Sequence, residues 1–379
     1  MRIYFKGLSE IRAIAALAVV FHHIELFKHR ENLPSLFNSF LSGFIGTLGK
    51  NGVYLFFVLS GFLITYLLLT ELGQFGKINV KKFYLRRILR IWPLYYLLLV
   101  IGFFLLPQLV RTSTAFWGNN NYYDLITGIE TDFTKKLLLF VFFFPNAALA
   151  FSYRVAGVTQ SWSVGVEEQF YLLWPWIIGK FKNNILKVLV SVIVLKFCFL
   201  LIFWTAHKTF GNASFYLLYS FLSNFNIELM SLGGIGAYFL YEGKLNRFFS
   251  GINKIQVLLL IIAIAGIMLL SWNYFLLGIC FLLFILANTF QHLNILHNKA
   301  LSFLGDISYG IYMYHPVCMY ASFCTSRYFY GTEHNTRFNL SFYILTVVST
   351  ILVSYFSYTF FEKRFLVIKK KLAVVQSGK

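Results

Sequence analysis

The sequence predicts an all-α, polytopic membrane protein: a bundle of about ten transmembrane helices, or eleven, with both termini in the cytoplasm. Of its 379 residues, 58% are hydrophobic and only 12% are charged, whereas a soluble domain carries about twice that charged fraction. Apolar runs long enough to cross a bilayer recur along the whole chain. The first run contains polar residues and no small-residue cleavage site follows it, so we expect a retained helix rather than a signal peptide.

The apolar runs divide the chain into spans without an internal repeat or a low-complexity linker. The segment 137–151 contains Pro145 and Asn146 and is short for a span, which favours a re-entrant or partly inserted helix. We therefore expect one transmembrane domain over 1–366, with 107–166 as a long outer segment, and a basic cytoplasmic tail over 367–379. The predicted spans lie near residues 8–27, 51–72, 83–106, 167–181, 184–206, 214–241, 255–271, 273–290, 302–324 and 340–362.

The distribution of positive charge supports ten spans rather than eleven. The net charge is +19, but the lysines and arginines lie in short loops between spans, as the positive-inside rule describes, so we do not expect nucleic acid as a partner. With ten spans and the N-terminus inside, most of these residues are cytoplasmic. Counting 137–151 as a full span would move the basic loop 242–254 to the outside.

The cysteines and histidines do not suggest a metal site. Cys198, Cys280, Cys318 and Cys324 share no ligand-like spacing, and the histidines lack it as well. Three of the cysteines lie in apolar stretches, where a small buried hydrophobic side chain is the usual role. We therefore expect function without a metal ion.

The first predicted span carries Arg12 and His23, eleven residues apart. Eleven residues make about three helical turns, so both lie on nearly the same face, roughly 16 Å apart along the axis. We expect Arg12 toward the cytoplasm and His23 in the outer half. Ionisable groups within a span usually face the protein interior or a water-filled cavity, and neutral imidazole suits a general base. By itself the pair is equally compatible with a snorkelling arginine and a structural histidine.

Basic residues precede the third predicted span in the stretch KINVKKFYLRRILRIWP. Arg86 and Arg90 share a helical face, and so do Arg87 and Arg90. They are compatible with simple topogenic charge. Arginines at a helix mouth also suit bidentate binding of phosphate groups, such as those of coenzyme A.

Further polar groups mark other predicted spans. Ser60, before Gly61, permits either close helix packing or room for a ligand. Glu167 and Glu168, in QSWSVGVEEQFYLLWP, exceed what helix capping requires. One of them can orient a histidine or bind a substrate hydroxyl. Tyr309 and His315, in ISYGIYMYHP, are expected in the outer half of the ninth span, with His315 in a cavity wall and Tyr309 structural by default.

Five of these motifs together resemble the acyltransferase-3 family of membrane acyltransferases, which modify cell-envelope polysaccharides and other extracytoplasmic glycans. They occur in order along most of the chain: the Arg12–His23 pair, FFVLSGF at 56–62, Arg87 and Arg90 as RxxR, SWSVGVEEQFYLLWP at 161–175, and ISYGIYMYHP at 307–316. One departure is visible. The family often has Asp-Gly just before the arginine of the first span, where this chain has Ser9-Glu10, so an aspartate role is in doubt.

The resemblance implies transfer of an acyl group, commonly acetyl, from cytoplasmic acetyl-CoA or another acyl-CoA to a hydroxyl of a glycan or lipid-linked saccharide. It implies a multi-pass protein of the bacterial inner membrane, in contact with lipid. Its pattern suggests His23 as the catalytic histidine with Arg12 as its companion. It also suggests Arg87 and Arg90 for donor binding, and Glu167 and Glu168 for the outer part of the site.

The motif and residue patterns combine into one hypothesis. The donor's phosphates dock on the arginines, with Arg86 and Arg12 contributing, and His23 deprotonates the acceptor hydroxyl. A donor for the oxyanion is needed, with Tyr309 or Ser60 as candidates. Some relatives carry a further esterase-like domain; none is evident in this sequence, so we expect direct transfer to the final acceptor or through a partner.

Two other classes of protein compete with this hypothesis. Midspan polar groups also suit a transporter or flippase for a lipid-linked sugar, although no inverted repeat or paired broken helices are evident. The other is a non-catalytic assembly subunit of an envelope complex. In that case, replacing His23 would leave glycan acylation unchanged.

Overall fold

The computed structural model describes residues 2–3, 5, 7–113, 125–249, 251–291, 296, 298–331 and 336–377, and this part of the chain is almost entirely helical. Short 3₁₀ turns lie at Leu36–Asn38, Gly128–Glu130 and Thr159–Ser161. A two-residue strand β1 (Arg2–Ile3) pairs in parallel with β2 (Gln376–Ser377). The helices are α1 (Leu8–Arg30), α2 (Ser42–Phe75), α3 (Val80–Val100), α4 (Leu106–Thr112), α5 (Phe133–Val141), α6 (Pro145–Ala150), α7 (Trp162–Lys180), α8 (Ile185–Phe210), α9 (Ala213–Asn224), α10 (Ile227–Tyr241), α11 (Asn246–Phe249), α12 (Lys254–Leu269), α13 (Tyr274–Gln291), α14 (Lys299–Asp306), α15 (Ser308–Tyr330), α16 (Thr336–Ser357) and α17 (Lys363–Lys371).

Several helices have the length and composition of membrane spans. Short π-helical turns join α3 to α4 and α16 to α17. Four continuous helices in the described residues are long and apolar enough to cross a membrane: Ser42–Phe75, Val80–Thr112, Ile185–Phe210 and Thr336–Lys371. The helix α8 exposes large apolar side chains, among them Leu195 and Leu201, as a lipid-facing helix does. The all-helical class is confirmed, and the number of crossings stays a prediction.

The predicted span 214–241 is not one helix but two, because the chain leaves helical geometry between α9 and α10. Lys196 on α8, which the sequence placed in mid-span, donates hydrogen bonds to the carbonyl oxygens of Leu222 and Phe225 at this break. Its ammonium also lies 3.3 Å from the carboxylate of Glu228. The lysine thus binds carbonyl groups that the helix end leaves without partners.

The segment 137–151, predicted to be re-entrant or partly inserted, is divided between the two short helices α5 and α6. Pro145 occupies the first turn of α6, where its missing N–H costs no hydrogen bond. Tyr95 donates to the carbonyl of Phe140 at 2.7 Å, and Gln169 donates to that of Phe143 at 2.7 Å. Side chains of α3 and α7 therefore donate hydrogen bonds to carbonyl groups of this irregular backbone, which would otherwise lack partners inside a membrane. How deeply this segment enters the bilayer stays a prediction.

The centre of the bundle is formed by α1 and α2, which pack against each other. The helix α2 also lies directly against α10: a Cβ at Gly61 would stand 1.9 Å from the carbonyl oxygen of Met230, and one at Gly233 would stand 2.1 Å from that of Val58. Only glycine permits this approach. Of the Ser60-Gly61 pair, Gly61 is therefore the residue that allows close helix packing. On its other sides α1 contacts α14 and α15.

Candidate active site

The N-terminal half of α1 borders a cavity of about 220 Å³, called here the deep cavity. It lies between α1, α2, α3, α7 and α15, and the C-terminal helix α17 contributes one residue to its wall. Its polar lining consists of Ser9, Arg12, Ser60, Arg87, Arg90, Ser163, Glu167, Tyr171, Ser308, Tyr309, Tyr312 and Lys369.

A second cavity of about 350 Å³, the terminal cavity, adjoins the first and shares Arg12, Arg87, Arg90 and Lys369 with it. Its remaining wall includes Glu71, Arg86 and residues 363–375 of the C-terminal segment. The paired strands β1 and β2 hold the two chain ends together. Part of the segment predicted as a basic cytoplasmic tail, 367–379, therefore forms part of this cavity wall.

Three arginines face both cavities. Within the described residues, Arg12, Arg87 and Arg90 make no hydrogen bond or ion pair with the protein. The guanidinium of Arg87 lies 5.5 Å from the ring centre of Tyr171, a cation–π contact that leaves its N–H groups available. Guanidinium groups with available donors define a site for an anion, and above all for phosphate or carboxylate.

Arg86 differs from its neighbours, although the sequence grouped all three arginines of α3 together. Its guanidinium lies 3.4 Å from the carboxylate of Glu71 and donates to the carbonyl of Leu372 at 3.2 Å. Arg86 therefore already has an acidic partner and ties the C-terminal segment to α3. Its side chain lines only the terminal cavity.

Glu167 lines the deep cavity together with Arg12, Arg87 and Arg90, and its place in the outer part of the site stays a prediction. Its carboxylate accepts hydrogen bonds from Ser60 and Tyr171, both at 2.9 Å. The reason is that α7 begins at Trp162, so Glu167 is more than a turn inside the helix where α7 packs against α2. The spacing of Glu167 and Tyr171, one turn apart, is the signal that sequence reasoning could have used.

Glu168 points away from both cavities. One carboxylate oxygen accepts a hydrogen bond from Trp92 at 2.9 Å. The other is buried and has no hydrogen-bond partner in the described residues. The geometry therefore separates the two adjacent glutamates, and only Glu167 faces a cavity.

Farther along α1, His23 contacts His315 of α15. His23 Nδ1 lies 2.9 Å from the carbonyl of Val19, and His315 Nδ1 lies 2.8 Å from the carbonyl of Tyr312. Because a carbonyl oxygen only accepts, both Nδ1 atoms carry hydrogens. The lone pair of His315 Nε2 then faces His23 Nδ1 at 3.2 Å, and His23 Nε2 keeps a free lone pair. The neighbouring His22 instead contacts the carbonyl of Ile45 at 2.7 Å.

The histidine pair lies directly behind the wall of the deep cavity. Tyr312 and Phe56 line that wall with their rings 5.9 Å apart, and the ring of Tyr312 is 6.1 Å from that of His315. The Tyr312 hydroxyl donates to the carbonyl of Gln160 at 2.7 Å. Phe56 and Tyr312 lie in the motifs FFVLSGF and ISYGIYMYHP, but sequence reasoning assigned neither of them a role at the site, because neither residue type is unusual in a membrane helix.

The two candidate oxyanion donors are already engaged. Ser60 gives its hydroxyl hydrogen to Glu167, and Tyr309 donates to the carbonyl of Ile91 at 3.0 Å. Both line the deep cavity, so they can shape it, but neither hydroxyl is free to donate to an oxyanion in this arrangement. Among the described residues, no group of three His, Cys, Asp or Glu side chains is arranged to hold a metal ion.

The fold and the cavities define a membrane-associated helical protein with an internal cavity rich in basic side chains beside a histidine pair. Residues 6–359 match the model of acyltransferase family 3, described as an acyltransferase domain, and the chain belongs to this family. It is 28% identical to the O-acetyltransferase OatA of Staphylococcus aureus (strain NCTC 8325) over 95% of this chain and 57% of the relative. It is 27% identical to a putative O-acetyltransferase of Staphylococcus aureus (strain COL), over 96% of this chain and 57% of the relative.

Family membership and these relatives support an O-acyltransferase. The chain spans little more than half the length of the curated relatives that it matches. No solved structure matches it.

Proposed function

We propose that this protein transfers a short acyl group, acetyl by the names of its relatives, from cytoplasmic acyl-CoA to a hydroxyl of a cell-envelope glycan or lipid-linked saccharide outside the membrane. One observation carries the proposal. Arginines that make no hydrogen bond or ion pair with the described part of the chain face a cavity whose far wall adjoins the His23–His315 pair, and α1 contributes Arg12 and His23 to the two ends.

The cationic end suits the donor. Acyl-CoA is polyanionic through its phosphates, and Arg12, Arg87 and Arg90 offer free N–H donors for them. The acyl group hangs at the end of the long pantetheine arm. Arg12 and His23 are about 16 Å apart along α1, a distance of the same order as that arm. The thioester passes the rings of Phe56 and Tyr312 to reach His23.

The histidine end suits general-base catalysis. His23 Nε2 takes the proton from the acceptor hydroxyl while the hydroxyl oxygen attacks the thioester carbonyl carbon. The carbon–sulfur bond breaks as the new ester forms, and the coenzyme A thiolate takes the proton back from His23. His315 acts as a positioning residue, because its Nε2 lone pair keeps the hydrogen of His23 on Nδ1.

Glu167 has a different role from the one that the sequence suggested. Its carboxylate holds Ser60 and Tyr171 and faces the arginines. We propose that Glu167 balances part of the positive charge of these arginines when the acyl donor is absent. This keeps an unoccupied cationic cavity from destabilising the bundle.

The orientation follows from the chain ends. Parallel pairing of β1 with β2 keeps both termini on one side of the bundle, which supports an even number of crossings. The arginine cavities open at this same end, and the positive-inside rule assigns its basic residues to the cytoplasm. The outer half of α1, with His23, then faces the acceptor. The membrane is the bacterial inner membrane.

The experiment is transfer of labelled acetyl groups by the full chain in proteoliposomes, with acetyl-CoA on one side and an envelope glycan on the other. His23→Ala should lose transfer by a factor of about 100 or more. His29→Ala, which removes an exposed histidine of the same helix, should retain it. A wild-type chain that moves a lipid-linked sugar but transfers no label would instead support a transporter.

A further inference from the structure

The C-terminal helix α17 brings a fourth cation to the deep cavity. Of the described C-terminal residues, Lys369 alone lines that cavity, next to Arg12, Arg87 and Arg90. Within the described residues its ammonium makes no hydrogen bond or ion pair with the protein. The cavity thus collects positive charge from three separate parts of the chain: α1, α3 and α17.

Acidic groups offset only part of this charge. The deep cavity is lined by four basic side chains and one acidic side chain, Glu167, which already accepts two hydrogen bonds. The two cavities together have seven basic and four acidic residues in their walls. Four like charges around one small space repel each other unless an anion enters. The excess therefore favours a polyanionic ligand over a neutral one.

Lys369 also differs from its neighbours in the same basic run. It is half-buried, whereas Lys370 and Lys371 are exposed. Lys370 lines only the terminal cavity, and Lys371 lines neither. A solvated basic tail would leave all three alike, so the fold selects Lys369 for the interior.

The segment is held in place from both ends. The helix α17 packs against α3, and Arg86 of α3 donates to the carbonyl of Leu372 at 3.2 Å. Beyond Leu372, β2 pairs with β1 at the N-terminus. These contacts fix the C-terminal segment as one wall of the terminal cavity.

We propose that Lys369 is a phosphate-binding residue of the acyl-donor site and that the segment 363–375 closes this site on the side of the chain termini. This inference rests on the proposed function, because it takes acyl-CoA as the polyanion. Lys369 supplies a point charge to a phosphate group while the arginines supply bidentate contacts.

Coenzyme A binding to the purified full-length chain in detergent tests the proposal. Lys369→Gln should weaken binding about tenfold, the loss of one charged hydrogen bond. Lys371→Gln removes the same charge from the same helix and should leave affinity unchanged. Acetyl-pantetheine, which lacks the nucleotide phosphates, should bind both variants as it binds the wild-type chain.

Equal coenzyme A affinity of the Lys369→Gln and Lys371→Gln chains would overturn the role of Lys369 and leave the donor assignment intact. A wild-type chain that does not bind coenzyme A at all would overturn the donor assignment and the role of Lys369 with it. Trypsin gives a second measurement. Coenzyme A should slow cleavage after Lys370 and Lys371 in the wild-type chain and give less protection in the Lys369→Gln chain.

Discussion

His315 Nε2 lies 3.2 Å from His23 Nδ1, and this contact joins α15 to α1. Both histidines donate from Nδ1 to a backbone carbonyl of their own helix, so both are neutral tautomers with the hydrogen on Nδ1. The hydrogen of His23 is therefore held on Nδ1, and its Nε2 is left free to act as a general base. Such an arrangement is typical of a histidine that works in proton transfer.

The first prediction concerns His315. We expect His315→Ala to lower kcat for acetyl transfer about tenfold or more, because His23 loses one of the two acceptors that hold its hydrogen on Nδ1. His315→Gln should retain more activity, since its amide oxygen can accept from Nδ1–H. The KM for acetyl-CoA should stay within about twofold of the wild-type value in both variants. A rise in KM with unchanged kcat would place His315 in donor binding instead.

The second prediction separates the arginines of α3. Arg87→Lys should raise the KM for acetyl-CoA about tenfold, because lysine cannot make the bidentate contact. Arg86→Lys should change the KM little, since Arg86 is paired with Glu71. Steady-state kinetics with varied acetyl-CoA measure both. Equal effects of the two substitutions would contradict the distinction between a free arginine and a paired one.

The third prediction concerns helix packing. A Cβ at Gly61 would overlap the backbone of Met230, so Gly61→Ala should separate α2 from α10 and destabilise the protein by about 2 kcal/mol or more. Gly266→Ala in α12 is the matched control, because nothing lies within 4 Å of its added Cβ. Thermal unfolding in detergent measures both. Equal melting temperatures for the two variants would refute the close contact.

Composition and motif order predicted the helical class and half of the polar residues that line the deep cavity. The prediction worked because ionisable residues in apolar helices seldom face lipid. Arg12, Arg87 and Arg90 indeed share one cavity although α1 and α3 are far apart in sequence. The spacing on α3 also indicated which arginines share a face.

The sequence could not predict which side chains meet across helices. Periodicity places Glu167 on α7 but does not say that α7 packs with its carboxylate toward Ser60. It also cannot pair His315 with His23, since the relative rotation of α1 and α15 is set by their packing. The segment 367–379 was predicted as a basic cytoplasmic tail, and nothing local in the sequence distinguishes Lys369 from Lys371. The break between α9 and α10 was missed although Ser223, Asn224 and Asn226 lie at it, and such polar residues favour turns over a continuous helix.

The most direct test of the account measures acetyl-CoA binding and acetyl transfer on the same preparation of the His23→Ala chain. We predict that this variant binds acetyl-CoA with the affinity of the wild-type chain and transfers no acetyl group to glycan, since the cationic cavity remains intact and only the base is lost. Transfer at the wild-type rate by the His23→Ala chain would contradict the account.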